Sequence, residues 1–402
     1  MNKLIMASIV LLILCSCSSS VEQRIDRVEN NLIELGFETV MSLFQPDSVQ
    51  LANPRTLAER MEHYGTPGVS IAVVNDNEVE WSKAYGITDK NTGESVTTET
   101  IFEAASTSKL VVAVMALHFV EKGLLELDTN VNTFLKSWQV PENEFTREEK
   151  VTLRRLLSHQ SGLPATNYRR DKSMRDPTLI EVLNGERPAM NRPAIPEYIP
   201  GTKWQYSNIG YNAIQLLLQE LSGKSFQELA EEVVFKPLGM KNSTFDYPMD
   251  AERSKREAMP HDAEGNSCQP GMHPTALAQG GLMTTPTDLA IFTTELILSY
   301  QGKSEKILSQ DMTKQLFTKE CDVDRNSWPL PFTDGLGAFL MGEGKDFLFT
   351  HPGTNSPGSL CFLVGWPERG TGAVVMTNGP GIMNGIIISL EIASAIDIVY
   401  NK

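Results

Sequence analysis

The stretch Phe102-Glu103-Ala104-Ala105-Ser106-Thr107-Ser108-Lys109 decides how this 402-residue chain is read. Small residues lead to a hydroxyl with a lysine three positions on. An apolar run follows in which Leu110, Val114, Leu117 and Val120 repeat at helical spacing, and Gly123 ends it. Positions i and i+3 share a helix face, so Lys109 lies one turn beyond Ser106. A serine hydroxyl is a weak nucleophile until a neighbouring base takes its proton. Burial lowers a lysine pKa and makes the amine such a base. Ser106 at a helix start also meets the positive end of the helix dipole, which favours a developing oxyanion. Taken alone, the pattern also describes a capping serine beside a solvated lysine. Ser108 has no lysine at i+3, so Ser106 is the better nucleophile.

Two later motifs complete the parts of an acyl-transfer site. Tyr206-Ser207-Asn208 stands about 100 residues on and precedes another helical run. A phenol can share or shuttle the nucleophile's proton, and an asparagine amide can hold a substrate carbonyl. Alone, the pair also reads as a buried tyrosine and a helix cap. About 145 residues further, His351-Pro352-Gly353-Thr354 ends a strand-like run. Gly353 permits close approach of substrate backbone. The Thr354 amide pairs with the Ser106 amide as an oxyanion hole, and His351 is read as a group that polarises substrate. No His-Glu-x-x-His, paired Cys-x-x-Cys or Asp-rich calcium loop occurs, so no metal or other cofactor is implied. The Gly-x-Ser-x-Gly elbow of the α/β-hydrolases is absent too.

Outward from these motifs, strands sit at both ends of the chain. Residues 69–74 and 79–85 flank the turn Asn75-Asp76-Asn77 and read as an antiparallel hairpin. Residues 347–350, 360–364 and 373–377 supply later strands, and 386–400 a closing helix. Between them, roughly 125–310 is helical and loop-rich, with helical landmarks at 153–157, 205–221, 226–235 and 287–298. A lone hairpin cannot bury both faces, so the two ends join in one sheet. The fold class is therefore α/β in the broad sense, more strictly α+β: an antiparallel sheet flanked by helices, with an inserted mostly helical lobe.

The first residues are a processing segment. Lys3 gives a positive start, residues 4–14 are apolar but too short to span a bilayer, and Leu14-Cys15-Ser16-Cys17 precedes three serines. This resembles a bacterial lipobox, with 1–16 as signal peptide and Cys17 as the lipidated new N-terminus. A plain secretory signal cleaved nearby is the alternative. Either reading takes the protein out of the cytoplasm, to a bacterial cell envelope, and the first anchors it to a membrane facing the periplasm or exterior. No other segment reads as a transmembrane helix. Residues 17–53 form a lead-in, in which Val21, Ile25, Val28, Leu32 and Leu35 make one apolar stripe on a helix packed against its own domain. The hydrolase domain covers 54–402.

A hydrophobic share of 41% and a charged share of 21% are those of an ordinary globular enzyme. A net charge of -15 without a basic run argues against a nucleic-acid partner. Cys268, Cys321 and Cys361 form neither a disulfide framework nor a zinc pattern, though one bridge is possible, and Cys361 reads as a buried strand residue.

Together these motifs resemble the serine β-lactamase and penicillin-binding-protein superfamily, in particular class C β-lactamases, R61-type D-alanyl-D-alanine carboxypeptidases and family VIII esterases. Supporting stretches are 66–74, Leu156-Leu157-Ser158-His159-Gln160-Ser161-Gly162-Leu163-Pro164, 237–240, 280–290 and 374–379. The resemblance implies a β-lactamase/transpeptidase-like fold, with Ser106 as acylated nucleophile and Lys109 and Tyr206 as its proton-transfer partners. It implies Asn208 on the substrate amide and oxyanion amides from Ser106 and Thr354. His351 stands where class C enzymes carry a lysine that binds the β-lactam carboxylate, so efficient β-lactamase activity is not expected. The expectation is a monomeric serine hydrolase acting through an acyl-enzyme on a small-molecule or peptide substrate: a D-amino-acid peptide, another ester or amide, or a β-lactam. The alternatives are a penicillin-binding or scaffold protein with little turnover, and a structural protein that assembles through the stripe beginning at Val21.

Overall fold

Val69, Ile71 and Val73 point to one side of β1 (Gly68–Asn75) while Ala72 and Val74 point to the other, and all five are buried. A strand covered on both faces belongs in the middle of a layered fold. The structure is a computed structural model that describes residues 19–32, 55–271, 274–325 and 331–401. The signal segment 1–16, Cys17 and most of the lead-in to residue 53 lie outside the described residues.

β1 returns as β2 (Glu78–Gly86) through Asp76 and Asn77, both at positive φ (51° and 63°). Two consecutive left-handed residues make the tight hairpin turn whose twist matches its strands, and Asp and Asn tolerate that region. The other neighbour of β1 comes from the far end of the chain. β11 (Thr371–Thr377) pairs antiparallel with β1, with Val69 opposite Thr377 and Val73 opposite Ala373. β10 (Ser359–Trp366) lies beyond it, so the two chain ends do share one sheet.

Four short strands extend or edge this sheet beyond what periodicity predicts. They are β5 (Cys321–Asp322), β6 (Thr333–Asp334), β7 (Phe339–Met341) and β9 (Gly353–Asn355), with β8 (Leu348–Thr350) between β7 and β10. Runs of two or three residues carry no readable alternation. A separate two-stranded ribbon joins β3 (Phe102–Glu103) to β4 (Met283–Thr284) just before Ser106.

Helices cover both faces. On one lie α3 (Ser108–Glu121), α4 (Asn208–Ser222) and α5 (Pro286–Tyr300), packed with Ala72, Val74, Leu363 and Val374. On the other lie α1 (Val21–Asn30), α2 (Leu57–Tyr64) and α6 (Ile382–Asn401), packed with Val69, Ile71 and Phe362. α3 is buried all round from Ser108 to Leu117, not along one stripe, because it runs between sheet and helical lobe.

Two expectations change here. The stripe beginning at Val21 is not one helix to residue 35: α1 stops at Asn30, and Leu32 pairs by its backbone with Arg55. α6 is long and apolar enough by composition to cross a membrane, which sequence reading denied to this region. Half of that stretch is buried against the sheet, as in a core helix. Its Glu391 forms a bidentate pair with Arg60 of α2, at 2.7 and 2.8 Å, and also accepts from Tyr64. Cys268, Cys321 and Cys361 are unpaired, with Cys361 buried in β10.

Candidate active site

Ser106 sits in a single 3-10 turn, Ala105–Thr107, that precedes α3. The turn begins at Ala105 with φ of 47°, a left-handed conformation an alanine seldom adopts and which costs about 1–3 kcal/mol. Its neighbours hold it. Ser108 Oγ donates to Ala105 O at 2.5 Å and accepts from Leu282 N at 3.0 Å. Thr107 Oγ1 donates to the His351 carbonyl at 2.8 Å, joining the turn to the β8–β9 connection. Ser108 is thus a structural residue of this turn.

Lys109 is fully buried, with Nζ 3.1 Å from Ser106 Oγ and hydrogen-bonded to the Gln279 carbonyl. Burial drives its amine well below the ordinary lysine value, and no carboxylate counters it. Its Nζ lies 4.9 Å from the Tyr206 ring centroid. Burial pushes the Tyr206 phenol up, while a hydrogen bond with the Ser106 hydroxyl pulls it the other way. The two shifts run in opposite directions: burial favours the neutral amine on Lys109 and the protonated phenol on Tyr206.

His159 is the site residue sequence reasoning missed. Its backbone carbonyl accepts from Gln205 N at 2.8 Å and its Nδ1 accepts from Ser207 N at 3.1 Å, bracketing Tyr206. The two rings lie 4.2 Å apart. The signal lies in Ser158-His159-Gln160-Ser161-Gly162, a stretch whose family likeness does not by itself place it beside Tyr206.

Asn208 opens α4, capped by Ser207, and donates to Asn167 Oδ1 at 2.7 Å. Ser106, Tyr206, Asn208, Asn167 and Thr354 line one cavity of about 490 Å³. None of its described lining residues is Lys, Arg, His, Asp or Glu.

Two predicted substrate contacts are placed elsewhere. His351 was assigned to the substrate, but its ring is buried and stacked on Phe339 at 5.0 Å, and it does not line the cavity. Burial first, with a further push from Lys109 whenever that amine is protonated, lowers its pKa to about 3, so the ring is neutral near pH 7. Gly353 was assigned to close approach of substrate. The close approach is instead to the Ala105–Thr107 turn: a Cβ there would lie 2.1 Å from Ala104 O and 2.9 Å from Ser106 N.

Glu103, buried in β3, bonds to both sides of the cleft. Its Oε2 accepts from Asn355 Nδ2 at 2.7 Å and its Oε1 from Gly271 N at 3.1 Å. Burial raises its pKa, with those bonds and one from Ser359 opposing.

The family model for "Beta-lactamase" matches residues 54–393. The chain is 31% identical over 330 residues to "Penicillin-binding protein 4" of Amycolatopsis lactamdurans, covering 80% of this chain and 83% of that one. It is 24% identical over 322 residues to "Protein flp" of Staphylococcus aureus strain MW2, covering 78% of this chain and 59% of that longer one. A solved structure described as the octameric penicillin-binding protein homologue from Pyrococcus abyssi superposes with a TM-score of 0.70 at 26% identity, covering 86% of this chain and 76% of that one. With the family model spanning most of the chain, this protein belongs to the beta-lactamase family and to its general class of serine hydrolases.

Proposed function

We propose that this protein hydrolyses an uncharged ester or amide through an acyl-enzyme on Ser106. Ser106 Oγ attacks the carbonyl carbon while Lys109 Nζ takes its proton. The carbonyl oxygen, now negative, is met by the amides of Ser106 and Thr354. The carbon–heteroatom bond breaks, and Lys109 returns the proton to the leaving group, with Tyr206 relaying it. Water then attacks the acyl-serine, losing its proton to the same amine, and Ser106 is restored.

The observation that carries this reading is the pairing of a hydroxyl 3.1 Å from a buried amine with a cavity whose described lining residues include none with a charged side chain. A D-peptide ending in a free carboxylate, or a β-lactam with its carboxylate, would bring a charge that no described lining side chain matches. That moves the preferred substrate from D-amino-acid peptides to neutral esters and amides. The test is turnover of p-nitrophenyl butyrate by wild type and Ser106→Ala. Loss of about a thousandfold or more in the variant supports the reading; equal rates refute it. Export with a lipid anchor at Cys17 is proposed on the sequence alone, and an unchanged membrane fraction for Cys17→Ser would overturn it.

A further inference from the structure

The catalytic cavity does not end at the oxyanion strand. Past Thr354 its wall is formed by Leu360 and Phe362 of β10 and by Ile386 and Leu390 of α6. A second space of about 420 Å³ shares Phe332, Phe362 and Leu390 with it. That space runs on between the sheet and α6 past Met341, Leu348, Val364, Trp366, Ala393 and Ile398. Folded interiors are close-packed, with few voids larger than a water molecule. Here Phe362, Leu348 and Trp366 keep 7–8% of their surface exposed to these spaces.

We infer that these adjoining spaces, which share three wall residues, act as one mostly apolar slot that receives a linear alkyl chain of the substrate, making long-chain neutral esters the substrate class. The inference rests on the proposed acyl-enzyme reading for its chemistry, and on the shared walls for its geometry. Charge argues for a neutral chain over a fatty acid or a phosphate-headed lipid. Among the described residues the first cavity has no charged lining side chain, and the second has Glu343 and Asp346 at its exposed rim and the half-buried Asp397 on α6, which accepts from Asn401 Nδ2 at 2.9 Å. Arg369, the cation among its described lining residues, donates to the carbonyls of Lys345 and Asn401 and pairs with Asp346. The Ser389 hydroxyl is buried at the cavity wall with no partner. It marks the place where the chain best carries a polar oxygen.

The test separates binding from turnover. Alkyl acetates from butyl to decyl are titrated calorimetrically into Ser106→Ala, which keeps the slot and lacks the nucleophile. Each methylene that enters apolar surroundings strengthens binding about two- to fourfold, so Kd falls along the series until the slot is full. Adding Met341→Trp, at a half-buried wall position, stops the gain at a shorter chain. Ala393→Phe on the opposite wall does the same. A Kd independent of chain length, or a gain that both wall variants leave untouched, overturns the slot whether or not wild type turns over any ester. Failure of wild type to hydrolyse the esters that bind overturns the proposed function and leaves the slot standing.

Discussion

Glu103 Oε2 accepts a hydrogen bond from Asn355 Nδ2 at 2.7 Å, beside the cavity that Ser106 and Thr354 line. Glu103 is three residues before Ser106, and Asn355 is one residue after Thr354. The bond therefore ties together the segments carrying the Ser106 and Thr354 amides, which belong to elements far apart in sequence and which the proposed mechanism uses as oxyanion donors. A carboxylate suits this place because its partners, the Asn355 amide and the Gly271 N–H, both donate.

Glu103→Gln gives one of those donors an NH2 to face. Misplacing an oxyanion donor costs about 10²–10³ in kcat, and a positioning role here predicts about tenfold to a hundredfold with KM little changed. Steady-state kinetics checks this beside a melting curve. A lower Tm with normal kcat per folded molecule would make Glu103 a purely structural residue.

Lys109 sets activity against stability. Its amine lies well below the ordinary 10.5 in the folded protein, so the unfolded chain binds the proton more tightly. Stability is greatest above 10.5 and falls as pH drops toward the folded pKa, below which the cost is constant. Removing the buried amine removes that cost. Lys109→Met is expected to stabilise by about 1–2 kcal/mol at pH 7 while lowering the acylation rate by about 10²–10⁴. Urea denaturation and single-turnover kinetics read the two effects separately.

The cavity lining makes a prediction about β-lactams. Penicillin as its methyl ester should acylate Ser106 at least about tenfold faster than the free acid, because the acid brings a carboxylate to a cavity whose described lining residues include no cation. Competition against a fluorescent penicillin measures both rates. A faster free acid would point to a cation that the cavity walls do not show.

Burial makes the pair of Arg60 and Glu391 sensitive to loss of one member. With exposures of 4% and 0%, removing either leaves the other buried without this countercharge. Glu391→Ala should cost about 3–5 kcal/mol, and Arg60→Met with Glu391→Leu much less. Chemical denaturation of the three proteins decides.

Long elements and chemical motifs were legible in the sequence. The β-branched run from Val69 to Val74, the Asp76-Asn77 turn and the apolar helix after Ser106 each carry a strong local signal, and the structure places them as predicted. Other features depend on contacts between distant segments. β6 and β7 are too short for periodicity to register. His159 looks like any buried histidine until Ser207 folds over it, 48 residues away in sequence. His351 and Gly353 were read from their neighbours in the chain. Their surroundings in space are Phe339 for one and Ala104 for the other, contacts that neighbours in the chain do not reveal.

The acyl-serine can be weighed. Wild type and Ser106→Ala are mixed with p-nitrophenyl butyrate, quenched in acid within the first turnover and examined by intact and peptide mass. A single butyryl group on the peptide holding Ser106 in wild type, and none on the variant, is the predicted result. A butyryl group on another residue, or turnover by the variant at the wild-type rate, would contradict the mechanism.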